Sequence, residues 1–98
     1  MNKADIAIQL RRVGTDRPGE HWYATTIGWE YVGCIFIDRD EGAVQWLTRV
    51  QLQNMKFVNV GEMIERGPFA TKEDAFLEGV KMSERLQVAV TSRYLAML

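Results

Sequence analysis

One cysteine, one histidine and two prolines among 98 residues are scarcities that exclude whole classes of chemistry. Cys34 alone cannot close an intramolecular disulfide, so the fold must stand on packing, which suits a reducing cytoplasm. A zinc site needs clustered His, Cys or carboxylate ligands. His21 and Cys34 sit in separate segments, which argues against a metal site within one chain. The same separation argues against a Cys–His nucleophile. His21 reads as a surface residue beside a turn, and Cys34, between Val32 and Phe36, as a small core hydrophobe. So few prolines, with eight glycines, leave no long linker, and the length suits a single domain, residues 1–98. No stretch reaches the roughly 18 apolar residues of a membrane span. Met1 to Asp5 lead into a short alternating run rather than the continuous apolar segment of a secretory signal. The expectation is a soluble, cytoplasmic protein.

Charge of one sign is missing too. Twelve Lys and Arg against thirteen Asp and Glu give a net charge of −1. Duplex-binding domains usually carry a basic footprint. Here the longest basic run is Arg11-Arg12, answered by Asp38-Arg39-Asp40-Glu41, so nucleic acid is disfavoured as a partner. Motifs that cradle phosphate are absent, with no G-x-x-x-x-G-K-[ST] and no G-x-G-x-x-G, and there is no G-x-S-x-G elbow to present a nucleophilic serine. Asp38-Arg39-Asp40-Glu41-Gly42 opens like an EF-hand loop, but its twelfth position is Arg49 where a bidentate Glu is required. It reads as a hairpin turn. Carboxylates pair at Glu62/Glu65 and Glu73/Asp74, in segments that should be solvated. No cofactor is expected, and the chain is expected not to be an enzyme.

The first two-thirds of the chain read with period two. Ala4–Val13 places Ala4, Ile6, Ile8 and Leu10 on one face, which predicts a half-buried strand, with a helix through Ile6, Leu10 and Val13 as the competing reading. Gly14–Gly19 reads as a surface loop. Glu20–Ile27 and Glu30–Asp38 follow as strands, with Gly28 between them. The third run is apolar on both sides, Tyr31, Ile35 and Ile37 against Val32, Cys34 and Phe36, which predicts a central strand. Gly33 within it would admit a close neighbour. Ala43–Gln53 alternates Val44, Trp46, Val50 and Leu52 against glutamines, with a helix over Leu47–Met55 as the competing reading. Lys56–Glu65 is the fifth run, with Val58, Val60 and Ile64 sharing a face.

The final third changes period. Gly67-Pro68-Phe69-Ala70-Thr71 is expected to end the sheet, with Thr71 as N-cap and Glu73 and Asp74 in the first helical turn. Ala75, Phe76, Gly79, Val80, Met82, Leu86 and Val90 share one arc of the helical wheel. Gly79 on that arc would let helix and sheet approach closely. Strands joined by short turns are usually antiparallel neighbours. The predicted fold is therefore α+β, an antiparallel meander of about five strands with one long C-terminal helix packed on one face. Whether residues 91–98 continue the helix stays open.

The run Arg66-Gly67-Pro68-Phe69-Ala70-Thr71-Lys72-Glu73-Asp74-Ala75 resembles the strand-to-helix joint of small bacterial and phage proteins of uncharacterised function. In these a G-P-F-x-T-x-x-[DE]-A run introduces a closing helix. The resemblance implies the order of elements and carries no active site. In element order alone the chain is also similar to single-stranded nucleic-acid-binding modules of the PUR and Whirly type.

Two features suggest an interaction surface. Trp22, Tyr23, Trp29, Tyr31 and Trp46 cluster in the strands, and adjacent Trp22 and Tyr23 must point to opposite faces. Aromatics on an uncovered sheet face anchor a protein or stack bases; the plainer alternative is cross-strand pairing. Leu77, Val88 and Leu95 fall inside the polar arc of the helix as a thin apolar stripe, suited to a dimer seam or a groove. The expected function is a non-enzymatic protein-interaction module, whose partner is another protein or, as a homodimer, a second copy of itself. The alternatives are a single-stranded nucleic-acid binder, using the aromatics with Arg11, Arg12, Arg17 and Arg49, and a small enzyme without a recognisable motif.

Overall fold

A computed structural model describes the backbone of residues 7–28 and 30–97 and the side chains of residues 9–28 and 30–89. Five strands, β1 (Ala7–Arg12), β2 (Gly19–Ile27), β3 (Tyr31–Asp40), β4 (Trp46–Asn54) and β5 (Asn59–Phe69), precede one helix, α1 (Lys72–Met97). The strands form a single sheet in sequence order, every neighbouring pair antiparallel. This is the expected α+β meander, with β3 at its centre.

The helix covers one face. Beneath it lie Ala24, Ile35, Ile37, Trp46 and Val50, which meet Ala75 and Met82 of α1, while Phe76, Val80 and Leu86 close the flanks. Ile35, Ile37 and Val50 are fully buried, and each contributes roughly 1.5–3 kcal/mol relative to exposure. Two glycines set the helix-to-sheet distance. A Cβ on Gly79 would lie 2.5 Å from Ile35 Cγ2, and one on Gly33 would lie 1.9 Å from Ser83 Oγ. Helix and sheet approach as closely as the sequence anticipated.

Unanticipated is a buried polar seam. Ser83 and Gln87 sit fully buried on the inner arc of α1. Gln87 Nε2 donates to Thr26 Oγ1 and to Ser83 Oγ, each at 3.2 Å, and the Thr26 and Ser83 hydroxyls bond to one another. The two hydroxyls and the Gln87 amide nitrogen satisfy one another, while Gln87 Oε1 is buried without a partner among the described residues. The seam ties the helix to β2 above the gap that Gly33 leaves.

Several boundaries differ from expectation. The segment 46–54 is strand, and its helical reading fails because Trp46, Thr48, Val50 and Leu52 all turn inward at every second position. Val44 precedes the strand and is exposed; Val58 lies in the β4–β5 turn and is exposed. The sheet does not end at Gly67. β5 runs on through Pro68 to Phe69, opposite Trp46. An edge strand tolerates a proline because its outward side carries no ladder bonds. The register of β4 and β5 shifts twice, as bulges do at sheet edges.

At the helix start Asp74 N donates to Thr71 Oγ1 at 3.1 Å, the expected N-cap. The helical backbone continues to Met97. The first residues of the predicted strand over Ala4–Val13 lie outside the described residues.

Candidate functional site

The face of the sheet that α1 leaves open is set by the alternation of β2 and β3. Thr26 bonds to the helix, so Trp22, Ala24 and Thr26 face it, while His21, Tyr23, Thr25 and Ile27 face away. Across the register, Asp38, Phe36, Cys34 and Val32 lie opposite those four. Arg49 of β4 and Arg11 of β1 join the same open face, opposite Phe36 and Tyr23 respectively.

This register divides the predicted aromatic cluster. Tyr23 is on the open face. Trp22 is on the helix side, half-buried, with the Lys72 ammonium 3.8 Å from its ring centroid. Tyr31 pairs with Asn54, two residues from Gly33, and so shares the helix side. Trp46 is 6% exposed and belongs to the core, with the Arg39 guanidinium 4.6 Å from its ring centroid. As a surface anchor Trp46 is therefore corrected: its large apolar ring is spent inside. Trp29 lies outside the described residues. Leu77 and Val88 are exposed on the helix, as the stripe requires; the side chain of Leu95 lies outside the described ones.

The open face carries a charged cluster that sequence reasoning missed. His21, read as a surface residue, is 5% exposed. Its Nδ1 lies 2.7 Å from Asp38 Oδ1. Arg49 donates to Asp38 Oδ2, and Arg17, from the β1–β2 loop, reaches Asp38 Oδ1 at 3.5 Å. Arg17 Nη2 also lies 3.0 Å from His21 Nδ1. One ring nitrogen cannot donate to a carboxylate and accept from a guanidinium with a single proton position. The shorter contact is the one to Asp38, so Nδ1 is assigned the proton and donates to Oδ1, and Arg17 forms an ion pair with the same carboxylate. A carboxylate on one ring nitrogen fixes the tautomer of the other. In the neutral ring Nε2 then carries the lone pair, and it is buried without a partner among the described residues.

The loop that delivers Arg17 is pinned locally. Thr15 Oγ1 accepts from Arg17 N at 3.2 Å and donates to Arg17 O at 2.9 Å, a turn that a threonine makes readily. Val13 N donates to His21 O at 2.8 Å, closing the loop against β2.

Beside the cluster, the rings of Tyr23 and Phe36 stand 5.3 Å apart at 51°, an ordinary tilted aromatic pair. Arg49 lies over Phe36, 5.8 Å from its centroid. Tyr23 Oη donates to Cys34 Sγ at 3.5 Å. Desolvation, helped by that bond to Cys34 and opposed by Arg11, pushes the Tyr23 phenol up to about 12. Cys34 is indeed buried, but on the open side rather than in the core beneath the helix. Arg17, His21, Tyr23, Phe36, Asp38 and Arg49 are among the residues that line a hollow of about 390 Å³.

The signal for this site lay in the turn. Gly28 N bonds to Tyr31 O at 3.0 Å, and a hairpin closed there places His21 directly opposite Asp38. Arg17 and Arg49 follow only from the loop path and the next register. The protein-family models, the curated proteins and the solved structures compared with the chain include none that matches it.

Proposed function

We propose that the chain is a non-enzymatic protein-interaction module that pairs with a second copy of itself through the open face of its sheet. The observation that carries this reading is the composition of β3. From Tyr31 to Ile37 its side chains are apolar on both sides, yet only one side is covered. Sheets with one wetted face ordinarily alternate apolar and polar residues. Here the uncovered side of β2 and β3 holds Tyr23, Ile27, Val32, Cys34 and Phe36.

A second copy fits this face on three counts. Two sheets pack face to face in many domains, with interdigitating side chains. A two-fold axis requires a self-complementary patch, and the face mixes Arg11 and Arg49 with Glu65, which lies across from Arg49. The net charge of −1 sets up little repulsion between copies. Nucleic acid is less well served. Arg12 faces the helix side, opposite Trp22, and Arg17 and Arg49 are engaged by Asp38. For catalysis, the His21–Asp38 pair has no nucleophile bonded to it among the described residues, since Cys34 takes its hydrogen bond from Tyr23. The buried thiol suits the cytoplasm as the place where the module works, and no helix among the described residues is long and apolar enough to cross a membrane.

Sedimentation equilibrium over a concentration series tests the reading. Ile27 and Leu47 are exposed enough on the open face for charge to be tolerated. The wild type should be dimeric and Ile27→Lys/Leu47→Lys a folded monomer, with Leu77→Glu/Val88→Glu still a dimer. A monomeric wild type at all concentrations overturns the proposal. Dissociation by the helix pair alone moves the interface to α1 and overturns the sheet-face reading.

A further inference from the structure

We propose that β1 is a docking edge for an extended acidic peptide, which joins the sheet as a further antiparallel strand. The edge is complete within one chain, so this inference does not rest on the pairing of two copies.

The backbone supplies the first argument. Among the described residues β1 has a neighbouring strand, β2, on one side only. Val13 N donates to His21 O at 2.8 Å, one step beyond the pair of Arg12 with Trp22. Directly opposed residues in an antiparallel ladder alternate between bonded and unbonded pairs. Gln9 and Arg11 therefore direct their N–H and C=O groups at β2, and Leu10 and Arg12 turn theirs outward. Bare edges invite a further strand, and proteins blunt them with proline, bulges or charge. β5, the opposite edge, has Pro68 and two shifts of register. β1 pairs with β2 without a shift and holds no proline or glycine.

Charge names the occupant. Arg11 lies on the open face and Arg12 on the helix side. Both are exposed, and neither meets an acid in an ion pair among the described residues. The acid of β2, Glu20, is held by Arg39 at 3.6 Å. A second β1 would add its own Arg11 and Arg12 to the same short ladder, where like charges repel and opposite charges attract. Leu10 shares the helix side with Ala24 yet stays exposed, because α1 lies over β3, β4 and β5. An antiparallel newcomer meets Arg12 first, then Arg11, then Leu10. The sequence that fits is two acids followed by an apolar β-branched residue. Strands added in this way take affinity from main-chain bonds and specificity from their side chains.

The probe is acetyl-T-E-E-V-T-V-amide, with acetyl-T-K-K-V-T-V-amide as the charge-reversed control. The ¹⁵N-labelled chain is titrated at a concentration where sedimentation shows a single oligomeric state. The amides of Leu10 and Arg12 should shift saturably and exchange more slowly with solvent, while those of Gln9 and Arg11, already bonded to β2, change less. Binding should weaken about tenfold or more for the lysine peptide, and about threefold or more for Arg11→Gln/Arg12→Gln, exposed positions whose replacement spares the core. Leu10→Pro removes an outward N–H, which an edge strand tolerates, and should abolish binding. No saturable shift up to about 5 mM acidic peptide, beyond millimolar affinity, overturns the proposal. So does equal binding of the two peptides. Leu10 and Arg12 amides that are protected without peptide, increasingly so with chain concentration, would give the edge to a second copy and overturn it as well. A monomeric chain in the preceding sedimentation experiment would remove the sheet-face pairing and leave this result untouched.

Discussion

His21 and Asp38 face one another across the β2–β3 pair, Nδ1 to Oδ1 at 2.7 Å, on the side of the sheet that the helix does not cover. The Asp38 side chain is only 14% exposed, yet it serves one imidazole and two guanidiniums. A carboxylate so placed is the hub of the open face. Its lone pairs orient His21, hold Arg49 beside Phe36 and draw in the loop that carries Arg17.

Asp38→Asn removes the charge and keeps the shape. Hydrogen bonds to charged groups contribute about 1.5–3 kcal/mol, but Arg17 and Arg49 are partly solvated, and exposed pairs contribute little. The expected loss is about 2 kcal/mol in urea denaturation, most of it from the His21 bond. The His21 ring gives a second readout. With the carboxylate gone, the preference for a proton on Nδ1 should fall, and the ¹⁵N shifts of the two ring nitrogens should converge. Unchanged ring shifts would mean that Asp38 does not set the tautomer.

Gly33→Ala tests the gap under the polar seam. The added Cβ would lie 1.9 Å from Ser83 Oγ and 2.4 Å from Thr26 Oγ1. Neither hydroxyl can retreat without breaking the bonds to Gln87. Overpacking a tight core costs about 1–3 kcal/mol, and the broken seam places this substitution at the upper end. Equilibrium urea denaturation should show a clear drop in midpoint. A loss below about 1 kcal/mol would show that α1 slides to make room, and that the seam is softer than its geometry implies.

What could be read in the sequence depended on range. Period and punctuation are local, so five strands, a capped helix at Thr71 and the close-approach glycines Gly33 and Gly79 were legible. The polar residues on the inner arc were not, because Ser83 and Gln87 look solvated until Thr26 is known to face them from β2, 57 and 61 positions away. The same holds for the open face. His21 beside a turn and Asp38 within an acidic run each suggest a wet surface. Only the hairpin register joins them, and joining them is what makes burial of both tolerable. Trp46 failed as a surface anchor for the converse reason: its strand position was right, but the side of the sheet on which the helix would settle was not encoded locally.

The phenol of Tyr23 should leave its mark on alkaline stability. Its pKa rises from 10.0 to about 12, first through desolvation and then through Cys34. The folded chain therefore holds this proton where the unfolded chain has released it. Stability rises with pH where the unfolded state binds more protons; here the folded state does, so stability falls. The contribution is complete below about pH 10 and is lost as pH climbs toward 12. Denaturation midpoints across that window should fall more steeply in the wild type than in Tyr23→Phe, and a tyrosinate absorbance step near pH 12 should vanish in the variant. Equal slopes would place Tyr23 in water.

The β4–β5 turn holds a residue at odds with its backbone. Phe57 has φ 60 and is 76% exposed, a left-handed conformation that is an outlier for a bulky side chain. The turn is otherwise well made. Asn54 Oδ1 accepts from the backbone N–H of Lys56 at 2.9 Å and of Val58 at 3.0 Å, and Phe57 N donates to Asn54 O at 2.9 Å. These bonds hold position 57 in place whatever side chain it carries. Left-handed residues other than glycine and asparagine carry a penalty of roughly 1–2 kcal/mol, and an exposed ring recovers little of it. Phe57→Asn should therefore raise stability by about 1 kcal/mol. Phe57→Gly should raise it less, because glycine also frees the unfolded chain by about 0.4–1 kcal/mol. Thermal denaturation of the three proteins gives the order Asn above Gly above Phe. If Phe is the most stable of the three, the ring is making a contact that outweighs the backbone penalty, and that contact belongs to the turn's own neighbours or to a second copy, which the same scan at two protein concentrations would separate.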